Sequence, residues 1–316
     1  MMGSGQSLKT SWSGFAAAWQ RFFHGRIDAR RPALVRIGFS LLMLVYLAVL
    51  YPDLDTWFGP HGLFPAEFDE QRKLPQLWSV LRWINPSDPA ASDWLHGLFW
   101  LNIVCVLMLL VGFCTRLNAL AVFVLLVSWQ NRNGTILEGE DTVFRLVNFY
   151  LLLMPSGRAW SIDSLLWRRQ RDRCELVPAW GLRLLQLQMT VIFVAAGLHK
   201  LGGNLWLDGT ALSYVGRLDD TFGRFPVPHL LFETPILVRL MTWTVIIVEV
   251  FVPGLLWFRE TRHAALALLV LFHLSNEYAM FLFLFHWIML VGWSTFLTSS
   301  DLQFFSRIFA RRTTAP

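Results

Sequence analysis

Residues 94–113 have the sequence WLHGLFWLNIVCVLMLLVGF and contain no Asp, Glu, Lys or Arg. A helix of about 20 apolar residues crosses the roughly 30 Å hydrocarbon core of a bilayer. Two further long apolar blocks lie at 34–50 and 236–258. The three blocks together predict an integral membrane protein whose main partner is the lipid bilayer.

The composition of the whole chain agrees with this prediction. The 316 residues are 55% hydrophobic and only 16% charged, whereas soluble globular proteins have about 25% charged residues. These values argue against a secreted domain, a disordered chain and a nucleic-acid-binding module, so we expect no nucleic acid partner. The formal net charge of +5 is then expected in the loops between spans.

The apolar blocks predict an all-α fold, a polytopic transmembrane helical bundle of about eight spans. The predicted spans are 34–50, 94–113, 117–131, 142–155, 181–199, 236–258, 263–278 and 280–298. The last two share one apolar block and would have short limbs, so we expect one of them to be broken or re-entrant. Seven spans is the alternative, and it would place the basic C-terminal tail outside.

The distribution of Lys and Arg gives the orientation, because these residues collect in cytoplasmic loops. Five of them precede the first span: Lys9, Arg21, Arg26, Arg30 and Arg31. We therefore expect a multi-pass protein of the bacterial inner (plasma) membrane with both termini in the cytoplasm. The predicted organisation is a cytoplasmic tail at 1–32, a transmembrane domain at 33–298 and a basic cytoplasmic tail at 299–316.

The N-terminal tail contains an aromatic pattern of its own. Trp12, Phe15, Trp19 and Phe22 recur at helical spacing on one face. This pattern is typical of an amphipathic helix that lies in the membrane interface.

Lys200 is the most informative polar residue, in the run QLQMTVIFVAAGLHKLGGNLWLDGTALSY at 186–214. The chain has only three lysines, at 9, 73 and 200, against 24 arginines. An amine can lose its proton whereas a guanidinium cannot, so a lysine here suggests a base. The alternative is a lysine that only extends its ammonium group to the interface. The adjacent His199 points about 100° away around the helix.

A second group of polar residues is formed by His273, Asn276 and Glu277, which lie on one helical face. Such a group can relay protons, orient a bound polar ring or supply two metal ligands. The alternative is a hydrogen-bond network between helices, and we expect no metal because further ligands are lacking. Buried Glu249 is expected to pair with a buried arginine, either Arg36 or Arg183.

A third group lies in NRNGTILEGED at 131–141, where Glu138, Glu140 and Asp141 are close in sequence. Like charges raise one another's pKa values, which favours a general acid or a cation site. A solvated loop is the alternative. The eight-span arrangement puts this loop, Lys200 and the 273–277 group on the outer side, which predicts one outward-facing site.

Several stretches resemble one family in the same order along the chain. They are ALVRIGFSLLMLVY at 33–46, MPSGRAWSIDSLL at 154–166, IFVAAGLHKL at 192–201, WLDG at 206–209 with Tyr214, and LFHLSNEYAMF at 271–281. Over roughly residues 30 to 300, the chain resembles the transmembrane domain of vitamin K-dependent gamma-glutamyl carboxylase and its bacterial relatives, the HTTM-domain proteins.

The resemblance implies an integral membrane enzyme that binds reduced vitamin K or another membrane quinol and uses O2 and CO2 as co-substrates. Lys200 matches the family lysine proposed to deprotonate the quinol, and His273 falls in the family's histidine-containing segment. Glu140 stands where the carboxylase has a functional histidine. The predicted catalytic residues are these three. The predicted quinol- or substrate-binding residues are His199, Trp206, Tyr214, Asn276, Glu277, Glu138 and Asp141.

The chain ends soon after Leu297, so we expect it to lack the extracytoplasmic domain that helps the carboxylase recognise its substrates. Quinol oxygenation is therefore easier to expect than coupled carboxylation of glutamate in a peptide or protein on the outer side. The alternative function is a non-catalytic membrane module for maturation, export or immunity of a partner protein. A secondary transporter is a weaker interpretation, because we find no corresponding pair of broken helices.

Overall fold

The computed structural model describes residues 4–64, 78–166, 176–218, 223–228 and 230–304. The predicted basic tail at 299–316 therefore lies mostly outside the described residues, as do the arginines between 167 and 175. Helices dominate, as predicted, with one exception to an all-α fold. Strand β1, Arg26–Asp28, pairs antiparallel with strand β2, Leu176–Pro178, and Ile27 lies opposite Val177.

The chain forms two compact units, one of residues 1–184 with 297–316 and one of residues 185–296. The helices that the structure describes in the first unit are α1 Ser4–His24, α2 Arg30–Leu50, α3 Leu54–Phe58, α4 Ala91–Val111, α5 Thr115–Arg132, α6 Gly139–Leu153 and α7 Ile162–Leu166. Short 3-10 turns lie at Tyr51–Asp53 and Val80–Trp83. Helix α8, Trp180–Lys200, begins in the first unit and continues in the second.

Buried aromatic rings form much of the core of the first unit. Phe144 on α6 contacts Phe39 and Tyr46 on α2, with ring centroids 5.9 and 5.6 Å apart. Trp129 on α5 contacts Phe99 on α4 at 5.8 Å. These contacts hold α2, α4, α5 and α6 together as neighbours.

The described residues of the second unit form the rest of α8 and six further helices. They are α9 Asn204–Leu207, α10 Ala211–Val215, α11 Leu230–Glu233, α12 Pro235–Leu255, α13 Arg262–Ala279 and α14 Phe285–Trp293. Helix α13 packs on α12 and on α14. The backbone leaves the helical conformation at Met280, where φ is −125° and ψ is 149°, and Phe283 has a φ of +29°. The predicted short last limb is thus a nine-residue helix extended by a 3-10 turn, Ser294–Phe296.

Four helical segments among the described residues are long and apolar enough to cross a membrane: Arg30–Phe58, Ala91–Val111, Trp180–Lys200 and Pro235–Leu255. Helices also lie at the other four predicted positions, in α5, α6, α13 and α14. Helix α6 has 15 residues and is therefore about 22 Å long at about 1.5 Å per residue. The prediction of a membrane protein is confirmed, whereas the count of about eight spans stays a prediction.

The N-terminal helix α1 is present as predicted. Its side chains at Phe15 and Trp19 are 61% and 52% exposed, while the Phe22 ring lies 4.8 Å from the Arg183 guanidinium. Its position in the membrane interface stays a prediction.

Candidate functional site

Lys200 ends helix α8 and forms an ion pair with Glu249 of helix α12. Its Nζ lies 2.8 Å from Oε1 and 2.7 Å from Oε2 of Glu249. The Glu249 residue is buried and the Lys200 side chain is 23% exposed. The prediction that Glu249 pairs with Arg36 or Arg183 is therefore wrong. Its partner is the lysine, which lies 49 residues away in sequence.

Gly197 explains how the two helices come close enough for this pair. A Cβ atom at this position would lie 2.6 Å from Cγ2 of Val250 and 3.0 Å from Cβ of Glu249. Only a residue without a side chain fits there unchanged, as is common where membrane helices approach closely. Gly197 thus lets α8 approach α12 closely enough for the Lys200 amine to reach the Glu249 carboxylate.

An aromatic ring lies beside the same amine. The Nζ atom of Lys200 is 5.2 Å from the ring centroid of Trp206 on α9, a distance at which a cation is attracted to the ring. His199 and Tyr214 are exposed, and no side-chain hydrogen bond to either is present in the described part of the chain. The structure therefore brings Lys200, Glu249 and Trp206 together. The side chains of His199 and Tyr214 form no hydrogen bond with these three residues.

The 273–277 group divides between two sets of partners. Trp293 Nε1 donates to His273 Nε2 at 3.1 Å, and His273 Nδ1 lies 3.1 Å from His286 Nδ1. The indole nitrogen can only donate, so His273 Nε2 carries no hydrogen. If both rings are neutral, His273 donates through Nδ1 to His286, whose hydrogen is then on Nε2. Three buried rings form one hydrogen-bonded chain with a fixed direction.

Glu277 and Asn276 have other partners. Arg224 donates from Nη1 to Oε1 of Glu277, and the Asn276 amide donates to the Phe272 carbonyl of its own helix at 2.9 Å. His273, Asn276 and Glu277 therefore do not share one set of partners, and the alternative interpretation, a hydrogen-bond network between helices, describes His273. A spacing of three or four residues places side chains on one face, but neighbouring helices decide what each one contacts.

Two buried polar atoms of this unit have no hydrogen-bond partner among the described residues. They are Nε2 of His286 and Oε2 of Glu277, which belong to residues only 3% and 8% exposed. Buried polar groups are nearly always paired with protein, water or a ligand. The second unit therefore contains one free donor and one free acceptor that a polar ligand can satisfy.

The 138–141 group is a structured helix start rather than a solvated loop. Glu138 and Asp141 form a reciprocal capping box at the first turn of α6, and the Glu138 amide donates to Asp141 Oδ2 at 2.7 Å. Tyr46 donates from its hydroxyl to Asp141 Oδ1 at 2.8 Å. Both carboxylate oxygens of Asp141 are thus engaged, and Glu140 and Asp141 are buried while Glu138 is exposed.

Glu140 precedes the predicted span that begins at 142. The pKa of its carboxyl is raised to about 7. Burial is the largest cause, a backbone hydrogen bond opposes it, and the nearby Glu138 and Asp141 carboxylates add to the rise. We predicted a raised pKa from like charges alone. Burial is the larger cause of the raised pKa, and the burial of a side chain is harder to predict from a sequence than the presence of neighbouring charges.

The two predicted structural arginines have separate roles. Arg36 is fully buried on α2 and donates to the Ser156 carbonyl at 3.0 Å and to the Trp160 carbonyl. Arg183 is half-buried against Phe22. Carbonyl oxygens, rather than a carboxylate, thus take the hydrogen bonds of the buried guanidinium of Arg36.

Three residues of the candidate site were missed in the sequence: Arg224, His286 and Trp293. His286 and Trp293 lie seven residues apart on the polar-poor helix α14, two turns along one face. This spacing is the feature of the sequence from which the two residues could have been predicted to lie side by side. In the described portion of the chain, no group of three or more His, Cys, Asp or Glu side chains is positioned to hold a metal ion.

Comparison with protein families matches residues 26–300 to the HTTM domain. This domain is the transmembrane domain of vitamin K-dependent carboxylase. The match covers all of the predicted transmembrane domain at 33–298. No solved structure matches the chain.

Proposed function

Because the chain belongs to the HTTM family, we propose that it binds a reduced membrane quinol of the vitamin K type within residues 185–296. Lys200, acting with Glu249, accepts a hydroxyl proton of the quinol. The bound quinol would supply the reducing electrons for its oxygenation by O2, and coupling to glutamate carboxylation would then use CO2. The observation that carries the proposal is the Lys200–Glu249 pair.

The pair explains how an ammonium group is converted into a base. The ammonium group of Lys200 needs an acceptor for its proton. The two carboxylate oxygens of Glu249 can take this proton, because they lie 2.7 and 2.8 Å from Nζ. Transfer of that proton to Glu249 leaves a neutral amine that can accept another from a hydroxyl group. A positioned acid–base pair of this kind contributes roughly 10²- to 10⁴-fold to rate.

The unpaired polar atoms of the unit support a hydroxyl-bearing ligand. A quinol hydroxyl both donates and accepts a hydrogen bond, and the unit has the unpaired donor His286 Nε2 and the unpaired acceptor Glu277 Oε2. Trp206 beside Lys200 offers an aromatic face against which a quinol ring can pack. The residues present therefore fit the class of molecule.

The test is a comparison of Lys200→Arg, Lys200→Ala and Glu249→Gln with the wild-type protein in membranes. Quinone carried through purification is identified by mass spectrometry, and quinol epoxide formation and labelled CO2 uptake are then measured. Lys200→Arg keeps a cation beside Glu249 but cannot supply a neutral base. Lys9→Arg makes the same change at another of the three lysines and is the matched control.

We expect Lys200→Arg to retain bound quinone and to lose about 100-fold or more of the turnover, whereas Lys9→Arg keeps both. Turnover in Lys200→Arg equal to that of wild type would exclude the lysine as base. A wild-type protein that carries no quinone and shows no turnover would overturn the proposed function.

The alternative is a non-catalytic membrane module that assists maturation, export or immunity of a partner protein. One observation favours it: a two-pronged ion pair at a close helix contact also serves to hold α8 against α12. This function predicts a partner that copurifies in detergent, binds equally to Lys200→Arg and shows no dependence on quinol. Partner binding without turnover would favour it.

A further inference from the structure

A large cavity lies in the first unit, and none of the residues proposed to bind quinol lines it. Its volume is about 800 Å³. Part of its wall is apolar, formed by Leu117, Leu153, Val177 and Trp180. In the predicted orientation, the cavity lies at the cytoplasmic ends of the spans, where the spans leave the bilayer.

The charge on the described wall of this cavity is positive. Arg26, Arg116 and Arg158 line it, and Asp163 is the only acidic residue that does so. That carboxylate is already engaged at the start of α5, where it accepts hydrogen bonds from the backbone nitrogens of Cys114 and Thr115, each at 2.8 Å. Three guanidinium groups thus line the described wall together with one carboxylate, whose oxygens already accept hydrogen bonds from the backbone.

The wall also contains a buried hydroxyl group that has no hydrogen-bond partner among the described residues. Ser156 lines the cavity and is only 1% exposed, and its Oγ has no hydrogen-bond partner in the part of the chain that the structure describes. Its carbonyl oxygen accepts from Arg36 at 3.0 Å, which holds the backbone of this residue in place. A fixed hydroxyl without a partner, beside three cations, indicates an anionic ligand with several acceptor oxygens.

We propose that this cavity binds a phosphate group attached to an apolar molecule, the chemistry of an anionic phospholipid headgroup with its acyl chains. The arginines contact the phosphate oxygens, Ser156 donates one further hydrogen bond, and the acyl chains cover the apolar wall. Arginine suits this task because its planar fork binds phosphate through two hydrogen bonds. The proposal is independent of the quinol site.

The test uses the purified full-length protein and native mass spectrometry with added phosphatidylglycerol or phosphatidylcholine. The variant Arg26→Gln/Arg116→Gln/Arg158→Gln removes the three cations. Arg259→Gln is the matched control, because Arg259 is an exposed arginine just after the predicted span at 236–258 and does not line the cavity. A parallel arm measures the unfolding temperature with and without inorganic phosphate.

We expect the wild-type protein and Arg259→Gln to retain phosphatidylglycerol in preference to phosphatidylcholine, and the triple variant to lose about tenfold or more of this preference. Stabilisation by inorganic phosphate that depends on the arginines, without lipid retention, would support the phosphate site and identify a soluble ligand. An equal preference in the triple variant, or an equal loss in Arg259→Gln, overturns the proposal. If the triple variant does not fold, the single variants Arg116→Gln and Ser156→Ala make the same comparison.

Discussion

Glu140 carries a buried carboxyl in the first turn of α6, and a pKa of about 7 makes its charge depend on pH in neutral buffers. The folded-state pKa is higher than the ordinary glutamate value of 4.5, so the folded protein binds this proton more tightly than the unfolded chain. The contribution of Glu140 to the free energy of unfolding is therefore full below about pH 4.5 and is lost as the pH rises through about 7.

Glu140→Gln should remove this dependence, because an amide does not titrate. We expect the variant to gain in unfolding temperature relative to wild type as the pH rises from about 5 to about 8, measured from tryptophan fluorescence in detergent. Glu260→Gln, at an exposed glutamate, is the control and should follow wild type. Parallel pH curves for Glu140→Gln and wild type would contradict the raised pKa.

At the same scale, the sequence identified individual polar residues better than it identified their partners. The cost of placing a charge in an apolar helix was enough to select Lys200, His273 and Glu249. Their partners depend on how separate helices pack, and a pair 49 residues apart leaves no mark in local spacing. The 138–141 carboxylates were predicted as a general acid or a cation site, whereas the helix cap that Glu138 and Asp141 form follows from backbone geometry.

At the scale of the helices, Gly197 predicts a strong and local effect. Gly197→Val should separate α8 from α12 at the Lys200–Glu249 pair, because even a Cβ there would lie 2.6 Å from Val250. We expect a fall of several degrees in the unfolding temperature. Gly254→Val is the matched control on α12, since a Cβ at Gly254 meets no atom within 4 Å.

Equal losses in the two glycine variants would mean that the close approach at Gly197 contributes nothing special. For seven of the eight predicted spans, the apolar blocks and their polar flanks place the helix ends within four residues of the observed bounds. The last span, predicted at 280–298, is instead the shorter helix Phe285–Trp293. The two short strands were missed because a strand of only three residues, with two buried positions in β1 and one in β2, gives no alternating pattern to detect.

At the scale of the whole molecule, the number of spans decides the side of the C-terminus. Eight spans place the tail after residue 304 in the cytoplasm with the N-terminus, and seven place it outside. In a bacterial host, we expect a C-terminal green fluorescent protein fusion to fluoresce and a C-terminal alkaline phosphatase fusion to be inactive. The reverse pattern would contradict eight spans and favour seven.

Arg36 also bears on the order in which the protein is completed during synthesis. This fully buried side chain belongs to the first long apolar helix, yet its hydrogen bonds go to carbonyl groups 120 and 124 residues later. A ribosome that adds about 5 to 20 residues per second needs roughly 6 to 24 s to make the intervening chain. Throughout that interval the guanidinium group must be accommodated by water, lipid headgroups or the insertion machinery, so the first helix cannot reach its final environment until the segment at 156–160 has been synthesised.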